Sequence, residues 1–289
     1  MQGTTRYEIT HVSRYSYSVP VRGCVMALCL KPRDDAGQQR LGFELSTAPP
    51  SSINSERDIF GNTKHVLNIH REHDALEITA WSTVQTMAPA PLSGPLGTGS
   101  WGEIRSWRDS FAYWDFTHPS AVARPTAALD GFVERVGIKP EGDPLEALTG
   151  LSETLHRSFE YVPGSTSVAS PIDHILASGL GVCQDYAHVM IAIARAWGVP
   201  TRYVSGYVPV ASGDTETASA SHAWVECLLP GLGWTGFDPT NGCLPGESHV
   251  RVAVGRDYQD VAPTRGVMHG GGETELEVDV RMRLLEPGS

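Results

Sequence analysis

Residues 179–200 read GLGVCQDYAHVMIAIARAWGVP, and this stretch carries the strongest structural signal in the chain. Apolar residues recur 3, 4, 7, 8 and 11 positions after Tyr186, which is the pattern of one buried face of an amphipathic helix. Gly198 stands where a helix C-cap glycine belongs, and Pro200 follows it. The spacing therefore predicts a helix that begins near Cys183, directly after a glycine-rich turn.

The predicted position of Cys183 makes it the cysteine that is best placed to react. At the N-terminus of a helix, backbone N–H groups lack partners and the helix dipole has its positive end. Both features favour a thiolate over a thiol. The alternative is a buried structural cysteine at a tight turn, and the helix alone does not choose between the two.

A predicted β-hairpin follows this helix and brings in two more polar side chains. SHAWVECLL (221–229) is one strand, PGLG (230–233) is a turn signal, and WTGFDPTNG (234–242) runs back along the first strand. With an odd-length turn, His222 and Asp238 fall on the same face as diagonal neighbours. A slip of one residue would separate them, and the sequence leaves the register open.

Together the helix and the hairpin predict a nucleophile, a base and an orienting carboxylate. His222 would form an ion pair with Cys183 and protonate the leaving amine, while Asp238 would hold the imidazole in the correct tautomer. The backbone N–H of Cys183 is a natural donor to an oxyanion. Three further side chains are candidates for the oxyanion hole or the substrate groove: Gln184, Tyr161 and Trp224.

Other polar residues carry weaker signals. Asp185 and His188 lie in the first turns of the predicted helix, where Asp185 can simply favour the helix start and His188 faces away from the cysteine. The polar loop 211–219 precedes His222 and could rim a substrate cleft. Three histidines lack the tight spacing of a zinc site, so we expect no metal there: His65, His70 and His73.

These segments resemble the transglutaminase-like superfamily of papain-type cysteine enzymes. The resemblance is to the bacterial branch often labelled as cysteine proteases, and it implies amide or isopeptide chemistry with Cys183, His222 and Asp238 as the catalytic residues. It also implies an N-terminal β-domain joined to a papain-like core. The segments that carry it are GVCQDYAH (181–188), SHAWVE (221–226), GWTGFDPTNG (233–242), LKPRD (30–34) and DIFGN (58–62).

The periodicity and composition of successive segments predict an α+β protein in two parts. Residues 1–87 show period-two alternation in Tyr- and Val-rich runs, which predicts an antiparallel β-sandwich. One run extends from Tyr7 through His11 to Tyr17, and a second, separate apolar run extends from Val25 to Leu30. Residues 88–100 are rich in Pro, Gly, Ser and Ala and are typical of a linker. Residues 101–289 contain helical spacing over 101–111, 121–136 and 145–159, followed by strands that end with an alternating run over 276–284. We expect residues 101–289 to form the transglutaminase-like catalytic domain.

Composition excludes several classes of partner. The chain has 289 residues and a net charge of −11 without a basic stripe, which argues against nucleic acid. No apolar run approaches the ~18 residues of a membrane helix. The N-terminus lacks the pattern of a signal peptide, so we expect a cytoplasmic protein. The five cysteines contain no CxxC pair, which argues against disulfides and zinc knuckles, and we expect no cofactor.

The leading hypothesis is a thiol hydrolase of peptide or isopeptide bonds that works through an acyl-enzyme on Cys183. If an amine instead of water resolves the same intermediate, the protein is an acyltransferase. A third hypothesis, from another class, is a binding module that keeps the fold without the chemistry. The predicted partner of an enzyme of either kind is a peptide or protein amide, and the oligomeric state is open.

Overall fold

The computed structural model describes residues 4–89, 94–209 and 218–285, and the fold is α+β as predicted. Most of the loop 211–219 lies outside these residues. The strands are β1 Thr4–Leu28, β2 Gln38–Ala48, β3 Ser52–Arg57, β4 Thr63–Ile69, β5 His73–Met87, β6 Glu160–Tyr161, β7 Leu180–Gly181, β8 Thr201–Pro209, β9 Ala218–Leu229, β10 Gly233–Phe237, β11 Val250–Gly255, β12 Thr264–Gly270 and β13 Thr274–Leu285. The α-helices are α1 Ser100–Ser106, α2 Trp114–Thr117, α3 Ala127–Val136, α4 Pro144–Ser158, α5 Ile172–Ser178, α6 Cys183–Ala196 and α7 Tyr258–Val261. Among the described helices, none has the length and apolar character needed to cross a membrane.

The N-terminal region is built around the long strand β1. Its first half pairs with β5 and β13, and its second half pairs with β4 and β12, with a register irregularity between Ser16 and Val21. The two apolar runs that sequence separates are therefore one bent strand. Side chains from both halves share one apolar core with β4 and β5, including Tyr15, Met26, Leu28, Leu67, Ile69, Leu76 and Ile78.

The second region packs helix α6 against an antiparallel sheet. Strand β8 lies between β11 and β9, and β10 pairs with the other side of β9 as a hairpin. Nearly every residue of α6 is buried, because the helix lies between this sheet and helices α4 and α5. A fully enclosed helix is a rigid support for whatever stands at its first residue.

The helical predictions differ from the structure mainly at the helix ends. Helix α4 matches the predicted 145–159 within one residue at each end. Helix α3 starts at Ala127, six residues later than predicted, because Thr126 caps it by accepting the N–H of Leu129 at 3.2 Å. Helix α1 ends at Ser106, before the predicted Phe111. Its last turn has 3₁₀-type backbone hydrogen bonds, in which the Trp107 N–H donates to the Ile104 carbonyl three residues earlier.

The C-terminal strand returns to the first strand. β13 pairs with β1 from Arg6 opposite Leu285 to Tyr17 opposite Thr274, and it also reaches β9 at Val280. Eleven of the strands in the described ranges consequently belong to one continuous sheet. The predicted final strand is present, and the predicted catalytic region of 101–289 includes two strands that pair with β1. The boundary at 88–100 stays a prediction, and residues 90–93 lie outside the described part.

Side chains of the N-terminal region also bond directly to the second region. The side-chain amide of Asn62 donates to the carbonyl of Val254 at 2.7 Å and accepts the Val254 N–H at 2.8 Å. It therefore bonds both backbone groups of Val254, as the backbone of a neighbouring strand would. The amide of Gln38 does the same with both backbone groups of Arg251. These contacts, together with β13, fix the two regions against each other.

Candidate active site

Local sequence fixes the start of α6 and hence the position of Cys183. A Cβ at Gly181 would lie 2.4 Å from the side chain of Ile175, so the turn before the helix approaches α5 more closely than any other residue permits. The carboxylate of Asp185 accepts the Val182 N–H at 2.8 Å and the hydroxyl of Thr166 at 2.5 Å. Asp185 therefore secures the helix start, and Cys183 is its first residue.

Cys183 differs from the other cysteines in its surroundings. It is half-buried at the helix N-terminus, and its backbone N–H is one of those that have no partner within the helix. Cys24, Cys29 and Cys227 are buried in the core, and Cys243 is exposed. The structure contains no disulfide among these five thiols, all of which lie in the described residues.

The hairpin register left open by the sequence places His222 beside Asp238. In the pairing of β9 with β10, Phe237 lies opposite Val225, so the next residue, Asp238, comes opposite Trp224 and diagonal to His222. The Nε2 atom of His222 lies 2.8 Å from Oδ2 of Asp238. His222 and Cys183 line the same cavity, and the Cys183 thiol contributes to the raised pKa of the imidazole. The three predicted residues thus come together at one site.

Asp238 is held by several donors besides His222. The backbone N–H groups of Thr240 and Asn241 donate to its Oδ1 atom at 3.0 and 3.1 Å. Its Oδ2 atom accepts the side-chain amide of Asn241 at 2.7 Å and Nε2 of His249 at 3.2 Å. The sequence analysis identified neither Asn241 nor His249 as part of the site. His249 directly precedes β11, and no spacing within the hairpin predicts that it lies near Asp238.

The charges of this group reinforce one another. Burial acts to lower the pKa of His222, but the hydrogen bond to Asp238 and the nearby Cys183 outweigh it and raise the pKa from 6.5 to about 10. Burial acts to raise the pKa of Asp238, and the hydrogen bonds from His222 and His249 hold it well below its usual range. An imidazolium next to a carboxylate is therefore the resting state at neutral pH.

A cavity of about 450 Å³ opens beside Cys183 and His222. Two of the three predicted accessory residues line it. Tyr161 is half-exposed at its mouth, and burial together with Cys183 raises the pKa of its phenol, so its hydroxyl stays protonated. Gln184 lines the cavity with its side-chain amide donating to the Ser167 carbonyl at 2.9 Å.

Trp224 has a different position from the one predicted. It is fully buried, its ring lies against that of His222 with centroids 6.1 Å apart, and it lies outside the set of described residues that line the cavity. In this geometry Trp224 packs against the ring of His222 and holds it in place. Gly206 makes room for it, because a Cβ there would lie 2.4 Å from the indole.

The remaining polar candidates are structural. His188 is buried, accepts the Tyr258 N–H at 3.2 Å, and burial lowers its pKa to about 4, so it stays neutral. His65 stacks on Phe43, and Nδ1 of His73 bonds the Arg71 carbonyl.

One group of potential metal ligands stands out in the described part of the chain. It consists of Asp238, Cys243 and His249, whose ligand atoms lie within 4.8 Å of one another. Because Oδ2 of Asp238 already accepts bonds from His222, Asn241 and His249, the arrangement is better explained as a hydrogen-bond network than as a metal centre.

Comparison with known proteins agrees with this geometry. Residues 132–239 match the model of the transglutaminase-like superfamily, and residues 7–85 match that of the bacterial transglutaminase-like N-terminal region. The chain thus contains a transglutaminase-like core preceded by a bacterial transglutaminase-like N-terminal region. The superfamily match contains Cys183, His222 and Asp238, whereas His249 and strand β13 lie beyond both matched segments.

Full-length relatives of this transglutaminase-like protein occur in mycobacteria. An uncharacterized protein of Mycobacterium leprae is 29% identical over 284 residues, covering 97% of this chain and 99% of the relative. An uncharacterized protein of Mycobacterium tuberculosis is 29% identical over 310 residues, covering 99% and 94%. A protein-glutamine gamma-glutamyltransferase of Pseudomonas aeruginosa is 33% identical over 100 residues, which are 31% of this chain and 14% of that protein.

A solved structure shares the whole architecture. The crystal structure of a "Putative Cysteine Protease" from Cytophaga hutchinsonii superimposes with a TM-score of 0.77 over 99% of this chain and 93% of its own, at 19% identity. This likeness establishes that the N-terminal strands and the transglutaminase-like core form one recurring fold.

Proposed function

We propose that this protein is a thiol hydrolase of peptide or isopeptide bonds with Cys183 as nucleophile. The observation that carries the proposal is the grouping of three side chains: Nε2 of His222 lies 2.8 Å from the carboxylate of Asp238, and His222 and Cys183 line the same cavity. The match of residues 132–239 to the superfamily model supports cysteine-based chemistry on a protein or peptide amide. The proposed cytoplasmic location is a separate prediction.

The chemistry follows from the geometry. The sulfur of Cys183 attacks the amide carbon, and the developing oxyanion meets the free N–H at the start of α6. The imidazolium of His222 gives its proton to the leaving nitrogen, the C–N bond breaks, and a thioester remains on the enzyme. Water then attacks the thioester while His222 takes up its proton, which releases the acid and regenerates the thiol. Asp238 keeps the imidazole oriented throughout.

The first test is the rate of iodoacetamide alkylation at Cys183 as a function of pH, read by mass spectrometry. We expect rapid alkylation near pH 6 in the wild type and its loss in His222→Ala. Exposed Cys243 is an internal reference in every sample, and its pKa is raised by burial and by Asp238. His269→Ala, an exposed histidine on β12, is the matched control and should behave as wild type.

If Cys183 and Cys243 alkylate alike and His222→Ala changes nothing, the ion pair is not assembled and the hydrolase proposal fails. The binding-module hypothesis would then be the better account of the fold.

The second candidate is an acyltransferase. It is favoured by the similarity, over 100 residues, to the protein-glutamine gamma-glutamyltransferase of Pseudomonas aeruginosa. The two functions share the acyl-enzyme and differ only in what resolves it. Product analysis with a peptide amide in the presence of a dansylated amine separates them. Hydrolysis in excess of amine incorporation supports the hydrolase, and incorporation well above hydrolysis would establish the transferase instead.

A further inference from the structure

The cavity beside Cys183 has two walls that come from different parts of the sequence. One wall is the core, with Cys183, His222 and Tyr161. The other wall is the face of the N-terminal sheet formed by β1 and β13. Ser13 lies opposite Val278 in the pairing of these strands, and both side chains line the cavity.

The sheet wall exposes large apolar side chains next to the nucleophile. Leu276 and Val278 are each 47% exposed, and both line the cavity. On the same face of β13, Val280 and Met282 are buried, so this face passes from the cavity at Leu276 and Val278 into the protein core at Val280. Open apolar surface inside a concave site is typical of ligand contact.

The rest of the described lining is also uncharged at neutral pH apart from the catalytic pair. Burial raises the pKa of Tyr203 and of Tyr258, so both phenols stay neutral. Burial lowers the pKa of His11 to about 4, and its ring bonds Tyr207 and Ser13 as a neutral group. None of the described lining residues is Asp, Glu, Lys or Arg. A charged substrate group would lose its hydration here without gaining a counter-charge.

We propose that the substrate seats an uncharged, apolar side chain against Leu276 and Val278, next to the carbonyl that Cys183 attacks. This substrate class rests on the proposed thiol chemistry and deepens it. It also gives the N-terminal sheet a direct part in substrate selection, since β13 is held in place by β1. A cavity of about 450 Å³ falls within the ~300–1,000 Å³ of ordinary ligand sites.

The probe for this proposal is a set of N-acetyl-aminoacyl chloromethyl ketones, which alkylate a cysteine thiol and carry one variable side chain. We would compare leucine and phenylalanine with aspartate and lysine, measuring labelling of Cys183 by mass spectrometry. Each rate is divided by the iodoacetamide rate of the same sample. We expect the apolar probes to react at least ~10-fold faster than the charged ones, as for side chains sorted by an apolar pocket. Equal rates, or faster labelling by a charged probe, would overturn the proposal.

A matched pair of substitutions on one strand locates the effect. Leu276→Asp should abolish the preference for apolar probes and favour lysine over leucine. Leu284→Asp alters the same residue type on the same strand face at a site that is 61% exposed and outside the cavity, so it should keep the wild-type preference. Val278→Thr, which keeps the shape and adds a hydroxyl, should reduce the preference partially. If Leu276→Asp and Leu284→Asp give the same selectivity, the sheet wall does not contact the substrate.

This result is separable from the test of the proposed function. When iodoacetamide labelling of Cys183 depends on His222 but the ketones show no side-chain preference, only the substrate class fails. When labelling is independent of His222, the thiol chemistry itself fails.

Discussion

At the residue scale, the carboxylate of Asp238 joins two histidines that arrive from different strands. His222 approaches from β9, and His249 approaches from the start of β11. The backbone N–H of Gly246 lies 3.3 Å from Nδ1 of His249, which assigns the ring proton to Nε2, the atom that faces Asp238. His249 is therefore a positioning residue that bonds the same carboxylate oxygen as His222.

Removing this second histidine should weaken the site without abolishing it. We expect His249→Ala to slow the His222-dependent alkylation of Cys183 about 2- to 10-fold, the range of ~0.5–1.5 kcal/mol for one hydrogen bond. His249→Gln keeps an N–H donor and should restore part of the loss. A glutamine variant as slow as the alanine variant would show that the histidine acts only through packing.

The buried pair of His222 and Asp238 should also shape stability as a function of pH. The raised pKa of His222 means that its contribution is complete below its ordinary 6.5 and is lost as pH rises through about 10. The lowered pKa of Asp238 means that its contribution is present above its ordinary 3.8 and is lost as pH falls. His222→Gln should therefore cost more stability at pH 5.5 than at pH 10, measured by urea unfolding. The same cost at both pH values would contradict this, and His269→Gln should show no such difference.

The sequence predicted the three central residues of the site better than the side chains that hold them in place or line the cavity. Cys183, His222 and Asp238 could be predicted because each follows from a local pattern, a helix start or a strand alternation. His249 and the cavity residue His11 could not, because their contacts depend on how distant strands pack. In the sequence, His11 is one member of a period-two run. Its polar side chain on an otherwise apolar face is the one feature that indicates a role beyond packing.

At the element scale, the closeness of β8 to its neighbours depends on one glycine. A Cβ at Gly206 would lie 2.2 Å from the Val250 carbonyl and 2.4 Å from the Trp224 ring. Both neighbours support the site, since Val250 follows His249 in the chain and Trp224 packs behind His222. Any side chain at position 206 must push β11 or the indole away.

Gly206→Ala should destabilise the protein by about 1–3 kcal/mol, the usual cost of overpacking. Gly131→Ala is the matched control, because this glycine lies inside α3 with nothing within 4 Å of its added Cβ. That substitution should stabilise the protein by about 0.5–1 kcal/mol. Thermal unfolding of the two variants beside the wild type checks both signs, and a neutral Gly206→Ala would mean that β8 can move.

Element types were easier to predict than element partners. The alternation of residues 276–284 identified β13 correctly, and the spacing of α6 identified its start. The pairing of β13 with β1 leaves no trace in either segment alone, because period-two alternation is the same whichever neighbour a strand has. The single bent strand β1 was likewise seen as two strands, since a bulge interrupts the alternation.

At the scale of the whole molecule, the two regions share a sheet and a cleft. β13 lies between β1 and β9, and the amides of Asn62 and Gln38 bond to β11 across the same boundary. The N-terminal sheet cannot separate from the core without exposing this strand and opening the cavity wall. The two regions should accordingly behave as one cooperative unit.

We expect thermal unfolding of the full chain to show a single transition, with coincident curves from near-ultraviolet circular dichroism and from the alkylation of Cys227, which is buried in the folded protein. Calorimetric and van't Hoff enthalpies should agree. Two resolved transitions, with Cys227 labelling following only one of them, would show that the regions unfold independently.

The place of β13 in the sheet has a consequence for how the molecule is made. Its partner β1 is synthesised before the core, and β13 is synthesised after it, so β1 lacks this neighbour until the core has been made. Pairing across so large a sequence separation makes folding slow, and the unpaired edge of β1 can meet wrong partners in the meantime. A chain still in synthesis therefore contains Cys183 before it contains the strand that we propose selects the substrate.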